Sequence, residues 1–415
     1  ILDKQTKKNK LMELVPIGQL PEIGVIPKFM FAQTLRADRF GMPISAYQQE
    51  VVPVPEIGDD EVLIGVMAAG LNFNSVWAAL AYPIDMLQLM QQRNENDLPY
   101  FIPGSDCAGI VFKKGKNVTN VSIGDEVVVQ GGWYDEQELF IRNGGDPTIG
   151  KSFRAWGYET NFGSYAQFCK VKHFQCLPKP KHLHWDEAAV YMVSGVTAYR
   201  MLHHYIPHNL QQNDVVLIWG GSGGLGSMAI QLVKAAGAFP VAVINNNSKV
   251  AFCEELGAVV LNRSNYTHWG EISGEQVLPE TQEIWRNAAK PFLKDLLNLT
   301  NGRLPKIVIE HPGASTFPTS LYVCDKNGMV ITCAGTTGYA GTFDLRYLWL
   351  YNKRIQGSHY ANPEECKMLN NLIHEKIIHP VLGATYSFND LPKALQLMHD
   401  NQLPCGSTAI KIGYA

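Results

Sequence analysis

The plainest chemistry in the sequence lies in the stretch Val215-Val216-Leu217-Ile218-Trp219-Gly220-Gly221-Ser222-Gly223-Gly224-Leu225-Gly226. An apolar run that reads as a buried strand leads into glycines, and residues 227–236 continue at helical spacing. Gly221, Gly223 and Gly226 fit the pattern G-x-G-x-x-G, with Ser222, Gly224 and Leu225 between them. In that pattern the first glycine allows the turn, the second lets the backbone approach a pyrophosphate, and the third lets helix pack on strand. The helix N-terminus then offers amide donors to the anion. The expected ligand is a dinucleotide.

The end of the next strand sets which dinucleotide. Phe239-Pro240-Val241-Ala242-Val243-Ile244 should be that strand, and an NAD enzyme places an acidic group there, on the ribose 2′-hydroxyl. This chain has Asn245, Asn246, Asn247, Ser248 and Lys249 instead. Amides, a hydroxyl and a cation suit a 2′-phosphate, so the sequence predicts NADP(H), with Asn245, Ser248 and Lys249 as its contacts.

The elements that must position these residues follow from the rest of the chain. At 415 residues there is length for two or three domains with full cores. A net charge of -3 and a pI near 6.5 argue against a nucleic-acid partner. The lysine-rich residues 4–10 read as a solvated tail. The uncharged run 215–233 is long enough to raise a membrane span, but it holds five glycines and is the nucleotide site. The eight cysteines, at 107, 169, 176, 253, 324, 333, 366 and 405, include no C-x-x-C pair. They read as reduced, buried thiols of a cytoplasmic protein with no visible targeting peptide.

From residue 51 the sequence becomes short strands separated by Gly, Pro and Asp, as at 61–67 and 124–129, with helical spacing over 75–93. A small antiparallel barrel is expected. A long helix should open at His184 and run towards His204. From 214 to about 345 strands and helices alternate, with strands at 241–244, 259–261, 306–310 and 329–333, which implies a doubly wound parallel sheet. Short mixed elements close the chain, with strands expected at 376–386 and 409–412. The expected fold class is α/β, a catalytic barrel domain formed by 1–190 and 346–415 with a Rossmann NADP(H)-binding domain inserted at 191–345.

That arrangement, with Gly104-Ser105-Asp106-Cys107-Ala108-Gly109 and Gly124-Asp125-Glu126-Val127, resembles the medium-chain dehydrogenase/reductase superfamily, whose catalytic domain is GroES-like. Its zinc-dependent members carry Gly-His-Glu at the first of these sites and a ligand Cys one strand earlier. Here stand Gly104-Ser105-Asp106 and Asn72, so no zinc site can be assembled and no metal is expected.

Within the superfamily the sequence resembles crotonyl-CoA carboxylase/reductase over roughly residues 50–415. The resemblance rests on long strings, among them Asn72-Phe73-Asn74-Ser75-Val76-Trp77, Trp156-Gly157-Tyr158-Glu159-Thr160-Asn161-Phe162-Gly163, Glu310-His311-Pro312-Gly313, Arg346-Tyr347-Leu348-Trp349 and Gly357-Ser358-His359-Tyr360-Ala361-Asn362. It implies that NADPH delivers hydride to the β-carbon of an enoyl-CoA. The resulting enolate attacks CO2 through its α-carbon, giving a 2-alkylmalonyl-CoA for polyketide extender units or acyl-CoA assimilation. The family's CO2-holding positions fall on Asn74, Tyr158, Glu159 and His359. CO2 is linear and uncharged with partially negative oxygens, so amide and imidazole donors can orient it, while Glu159 would fix a water or the imidazole. Thr197, His311, Cys333 and Ala334 complete the cofactor set. Arg346 and Tyr347, with Lys353 and Arg354 more weakly, are the expected CoA contacts. A homotetramer is implied.

The sequence departs from the family at three places. Tyr158 replaces the usual Phe, Ser194-Gly195-Val196-Thr197 replaces the usual Asn-Ser-Thr approach to the nicotinamide, and the acyl-pocket region within 78–86 differs from the crotonyl pattern. Acyl chain length is open. The competing readings are a plain enoyl-thioester reductase that protonates the enolate, a quinone or ζ-crystallin-like reductase, and a non-catalytic NADPH-binding protein.

Overall fold

The computed structural model describes residues 13–270, 272 and 279–413; the lysine-rich residues 4–10 lie outside them. The chain forms two compact units. One is built from 1–193, 362–374 and 380–415, the other from 194–361 and 375–379.

The first unit is organised on Glu61–Gly70, a ten-residue strand buried along nearly all its length. It is sandwiched in a seven-stranded sheet, pairing antiparallel with Asp106–Lys114, with Phe168–Lys172 and with Ser407–Lys411. Asp106–Lys114 continues to Glu126–Val129 and Cys176–Pro178, while Leu382–Ser387 closes the other edge as a parallel partner of Ser407–Lys411. A strand with neighbours on both sides and both faces covered needs an unbroken apolar run, and Val-Leu-Ile-Gly-Val-Met-Ala-Ala supplies it. The core below holds Tyr47, Trp156 and Tyr165, and Phe112 meets Phe168 edge-to-face at 5.2 Å.

The central strand delivers the chain into the helix Phe73–Leu80. The helical spacing over 75–93 resolves into two helices, the second being Met86–Gln92. Ala81 closes the first in the left-handed region at φ 49°, and Pro83, which has no N–H to donate, follows. The helix expected from His184 is likewise two, Trp185–Ala188 and Met192–His203. Near the C-terminus the strand runs Leu382–Ser387 rather than from 376, where Lys376 sits at φ 58°.

The second unit is a six-stranded parallel sheet. Its spatial order runs Val259–Asn262, Phe239–Ile244, Val215–Trp219, Ile307–Glu310, Met329–Thr332 and Arg354–Gly357, with every neighbouring pair parallel. Chain order reverses on either side of Val215–Trp219, the switch point at which such sheets take a ligand. The sixth strand, paired with Met329–Thr332, carries the unit to Ala361. The unit thus extends past 345, the boundary expected from the sequence, and includes Arg354 and His359.

Candidate active site

Gly220, the residue after Val215–Trp219, has φ +62°, a conformation a residue with a side chain adopts only under strain. A side chain there would also meet the His311 imidazole at 2.5 Å. The turn residue is therefore Gly220, one place ahead of the first glycine of the sequence pattern. Gly221 instead packs on Ala242 of the neighbouring strand, and a side chain at Gly226 would overlap the Gly220 carbonyl. Gly223, at the start of the helix Gly224–Ala235, is exposed, and a Cβ built on it meets only the Gly220 carbonyl at 3.6 Å. That open cradle before a helix N-terminus fits a pyrophosphate.

The end of Phe239–Ile244 is polar and exposed. Lys249 Nζ donates to Asn245 Oδ1 at 3.0 Å, and Asn246 Oδ1 accepts from the Ser248 amide at 3.0 Å. Two residues beyond the expected set join them. Ser264 Oγ donates to the Asn245 carbonyl at 2.5 Å, and Asn262 Nδ2 donates to Asn247 Oδ1 at 2.7 Å. Asn262 ends the third strand and Ser264 follows it, and periodicity alone does not reveal that this end closes on the second. With an ammonium and no carboxylate at this edge, the site fits NADP(H). Lys249→Ala is expected to raise the KM for NADPH about tenfold, the ~1.4 kcal/mol of one charge-assisted contact, and to leave that for NADH unchanged. Steady-state kinetics with both cofactors checks this.

His311 Nε2 lies 3.0 Å from the Trp219 carbonyl, beside the glycine turn, and burial lowers its pKa. The turn that carries His311 is pinned by Glu310, whose carboxylate accepts from the Gly313 amide at 3.0 Å, from Thr316 Oγ1 at 2.7 Å and from Ser320 Oγ. Trp219 Nε1 donates to the same Ser320 at 2.7 Å, closing the network onto the glycine-loop strand. Burial pushes Glu310 up to about 7 against these donors. Cys333 and Ala334 follow the adjacent strand Met329–Thr332, the Cys333 amide donating to the Glu310 carbonyl at 3.4 Å. Thr197 lies on Met192–His203, half-buried. His311, Cys333 and Ala334 thus gather at the carboxyl ends of neighbouring strands.

In the barrel unit, Asn74 is the second residue of Phe73–Leu80, and its Nδ2 donates to Ser105 Oγ at 2.8 Å. Ser75 Oγ is 2.9 Å from the Tyr165 hydroxyl, and the Tyr47 hydroxyl donates to the Ser75 carbonyl at 2.8 Å, so buried tyrosines back the helix start. Tyr158 and Glu159 sit on a loop stitched to the one carrying Ser105. The Gly104 amide donates to the Gly157 carbonyl at 3.0 Å, and the Ser164 amide to the Gly104 carbonyl at 2.9 Å. Tyr158 packs on the barrel core, where burial raises the pKa of Tyr47 and the Tyr158 phenol adds a little to it. Glu159 Oε2 accepts from the Ala155 amide at 2.8 Å, and Oε1 faces the Arg93 guanidinium at 4.0 Å. Asn74, Tyr158 and Glu159 are therefore brought together on two joined loops and one helix start. His359 stands in the nucleotide unit, exposed, two residues past Arg354–Gly357.

The positions that would ligate zinc in related enzymes are engaged otherwise. Asn72 Nδ2 donates to Asp106 Oδ2 at 2.9 Å, and Ser105 holds Asn74. An amide and a hydroxyl are poor zinc donors, and among the described residues no group of three or more His, Cys, Asp or Glu is placed to hold a metal. Activity is expected to survive exhaustive dialysis against EDTA; a loss reversed by added zinc would contradict this donor set.

Arg346 and Tyr347 line a cavity of about 190 Å³ with Ile272, Trp285, Arg286 and Asp344, all within the nucleotide unit. Arg346 is exposed but forms a bidentate pair with Asp344 at 2.6 Å, so a phosphate there would have to share it. Lys353 is committed elsewhere, its Nζ donating to the Leu321 carbonyl at 2.7 Å at the end of the helix Phe317–Val323, within cation–π range of Tyr347 and Tyr351. Arg354 bonds Gln356 at 2.5 Å and lies over Tyr205.

A GroES-like barrel unit, a parallel-sheet nucleotide unit and a dinucleotide turn at the switch point define a medium-chain dehydrogenase/reductase. Residues 58–181 match the family described as alcohol dehydrogenase GroES-like domain. Residues 224–375 match the one described as zinc-binding dehydrogenase. More narrowly, the chain belongs to the crotonyl-CoA carboxylase/reductase family. It is 42% identical to the crotonyl-CoA carboxylase/reductase of Cereibacter sphaeroides, over 96% of this chain and 91% of that protein. It is 40% identical to the crotonyl-CoA reductase of Streptomyces collinus, over 86% and 80% of the two chains. Its fold superposes on crotonyl-CoA carboxylase/reductase AntE in complex with NADP with a TM-score of 0.92 at 43% identity, covering 97% of this chain and 99% of that one. The 2-octenoyl-CoA carboxylase reductase CinF in complex with NADP and 2-octenoyl-CoA gives 0.85 at 37% identity, covering 93% and 88%.

Proposed function

We propose that the protein is an NADPH-dependent enoyl-CoA carboxylase/reductase that converts an α,β-unsaturated acyl-CoA and CO2 into a 2-alkylmalonyl-CoA. NADPH, when bound, supplies the hydride that reduces the β-carbon and leaves an enolate whose α-carbon forms the new bond to CO2. Gly220, Gly223 and the helix Gly224–Ala235 cradle the pyrophosphate, Asn245, Ser248 and Lys249 take the 2′-phosphate, and Thr197, His311, Cys333 and Ala334 border the reactive end. Ser105 occupies one N–H of the Asn74 amide, which leaves the second to donate to a CO2 oxygen; the role of His359 as a donor is carried over from the family resemblance alone. Tyr158 walls the site with an added hydroxyl. Glu159, aimed by the Ala155 amide and Arg93, fixes a water. Arg346 and Tyr347 hold the CoA moiety, with Arg354 at its margin.

The observation that carries this reading is the gripped Asn74 amide in a chain so similar, over nearly its whole length, to a named carboxylase/reductase. We also propose a cytoplasmic homotetramer; among the described residues no helix is long and apolar enough to cross a membrane. Incubation of a panel of enoyl-CoAs with NADPH and ¹³C-bicarbonate, followed by mass spectrometry, tests the reaction. A labelled alkylmalonyl-CoA is the expected product. Saturated acyl-CoA alone at saturating bicarbonate would establish the plain reductase.

A further inference from the structure

Asp106 is 1% exposed and opens the strand Asp106–Lys114 immediately after Ser105. Its two oxygens have separate partners. Oδ2 accepts from Asn72 Nδ2 at 2.9 Å, and Oδ1 accepts from the Val193 amide at 2.8 Å. Asn72 is the residue from which the helix Phe73–Leu80 starts, and Asn74 lies two places on. Adjacent residues 105 and 106 therefore grip residues 74 and 72, fixing both the side chain that faces CO2 and the backbone from which it projects. Room for the carboxylate is made by Gly70, where a Cβ would come within 2.8 Å of Asp106 Cβ. Tyr165 and Tyr191, both buried, feel its charge, and burial pushes Asp106 itself up to about 7.

We propose that Asp106 is a positioning residue for carboxylation, acting through Asn72 to aim the Asn74 amide at CO2. The proposal rests on the carboxylase reading given above. As placed, both partners donate N–H to Asp106, so an amide at 106 that still accepts from Val193 turns its NH2 towards Asn72 and breaks the Asn72 contact in its present orientation. The swap of Asp106→Asn with Asn72→Asp repairs this. The new amide accepts from Val193 with its oxygen and donates to the new carboxylate with its nitrogen.

The test measures the ratio of alkylmalonyl-CoA to saturated acyl-CoA and the KM for NADPH, at fixed dissolved CO2, in the wild type, Asn74→Leu, Asp106→Asn and the swapped double variant. Misplacing a reacting group by a fraction of an ångström costs a sizeable part of the ~100-fold that 1 Å does, so Asp106→Asn should lower the ratio at least about fivefold with the NADPH KM within about twofold. The double variant should recover most of that loss. Asn72→Ala, which removes the donor and leaves the Val193 contact, should lower the ratio in the same direction and replaces Asp106→Asn if that protein does not fold. If the wild type and Asn74→Leu behave as a carboxylase and its impaired variant but Asp106→Asn, or Asn72→Ala in its place, keeps the wild-type ratio, the role of Asp106 is overturned. It is also overturned if hydride transfer and carboxylation fall together and the swap does not restore them. A wild type that makes no carboxylated product removes the underlying reading instead.

Discussion

Asn74→Leu is expected to lower the ratio of carboxylated to reduced product by at least about tenfold while NADPH oxidation changes by no more than about threefold, because capture of the enolate depends on a CO2 already held within reach. The amide lies in the barrel unit and bonds Ser105, whereas the expected nicotinamide contacts His311, Cys333 and Ala334 lie at strand ends of the other unit. Leucine keeps the γ-branched shape and removes the donor. The enolate then waits longer and takes a proton from water, so the saturated acyl-CoA accumulates at the expense of the malonyl product. Quantifying both products against NADPH consumed separates the two steps. Equal losses in both would mean that Asn74 serves substrate binding in general.

What the sequence makes legible here is local. The glycine turn could be read because a buried strand, a flexible turn and a helix N-terminus each leave a composition signature within about twelve residues. Even so, five closely spaced glycines between 220 and 226 hide which one turns the chain, and the structure assigns that role to Gly220 through its positive φ and the His311 ring beside it. The sixth strand is not legible in the sequence because Arg354-Ile355-Gln356-Gly357 is short and half polar, as an edge strand can be, and it has no apolar run to announce it. The zinc positions showed what was absent, two ligands, but not what had replaced them. The pairing of Asn72 with Asp106 spans 34 residues, and that of Glu159 with Arg93 spans more, so neither leaves a periodic trace. Lys353 reads as a weaker CoA contact, yet the carbonyls it satisfies belong to a helix end some thirty residues away, and sequence spacing does not reveal such an acceptor.

The loop that carries Tyr158 and Glu159 turns on one residue, and Gly157→Ala is expected to remove it from the site. Gly157 has φ +67°, and a Cβ there would overlap the carbonyl of Gly104, whose own amide donates to Gly157 at 3.0 Å. Left-handed strain costs about 1 kcal/mol and forced overlap with backbone a further 1–3 kcal/mol, so a loss of roughly 3 kcal/mol in the stability of the barrel unit is expected. Gly124→Ala provides the control. Its φ is +95° with nothing within 4 Å of a Cβ, so it carries the conformational strain without the overlap and should cost only about 1 kcal/mol. Urea denaturation of the two variants should therefore separate by about 2 kcal/mol, with the carboxylated product lost in Gly157→Ala and retained in Gly124→Ala. Equal midpoints would mean that the Gly104 carbonyl yields, and that the joined loops are looser than their hydrogen bonds imply.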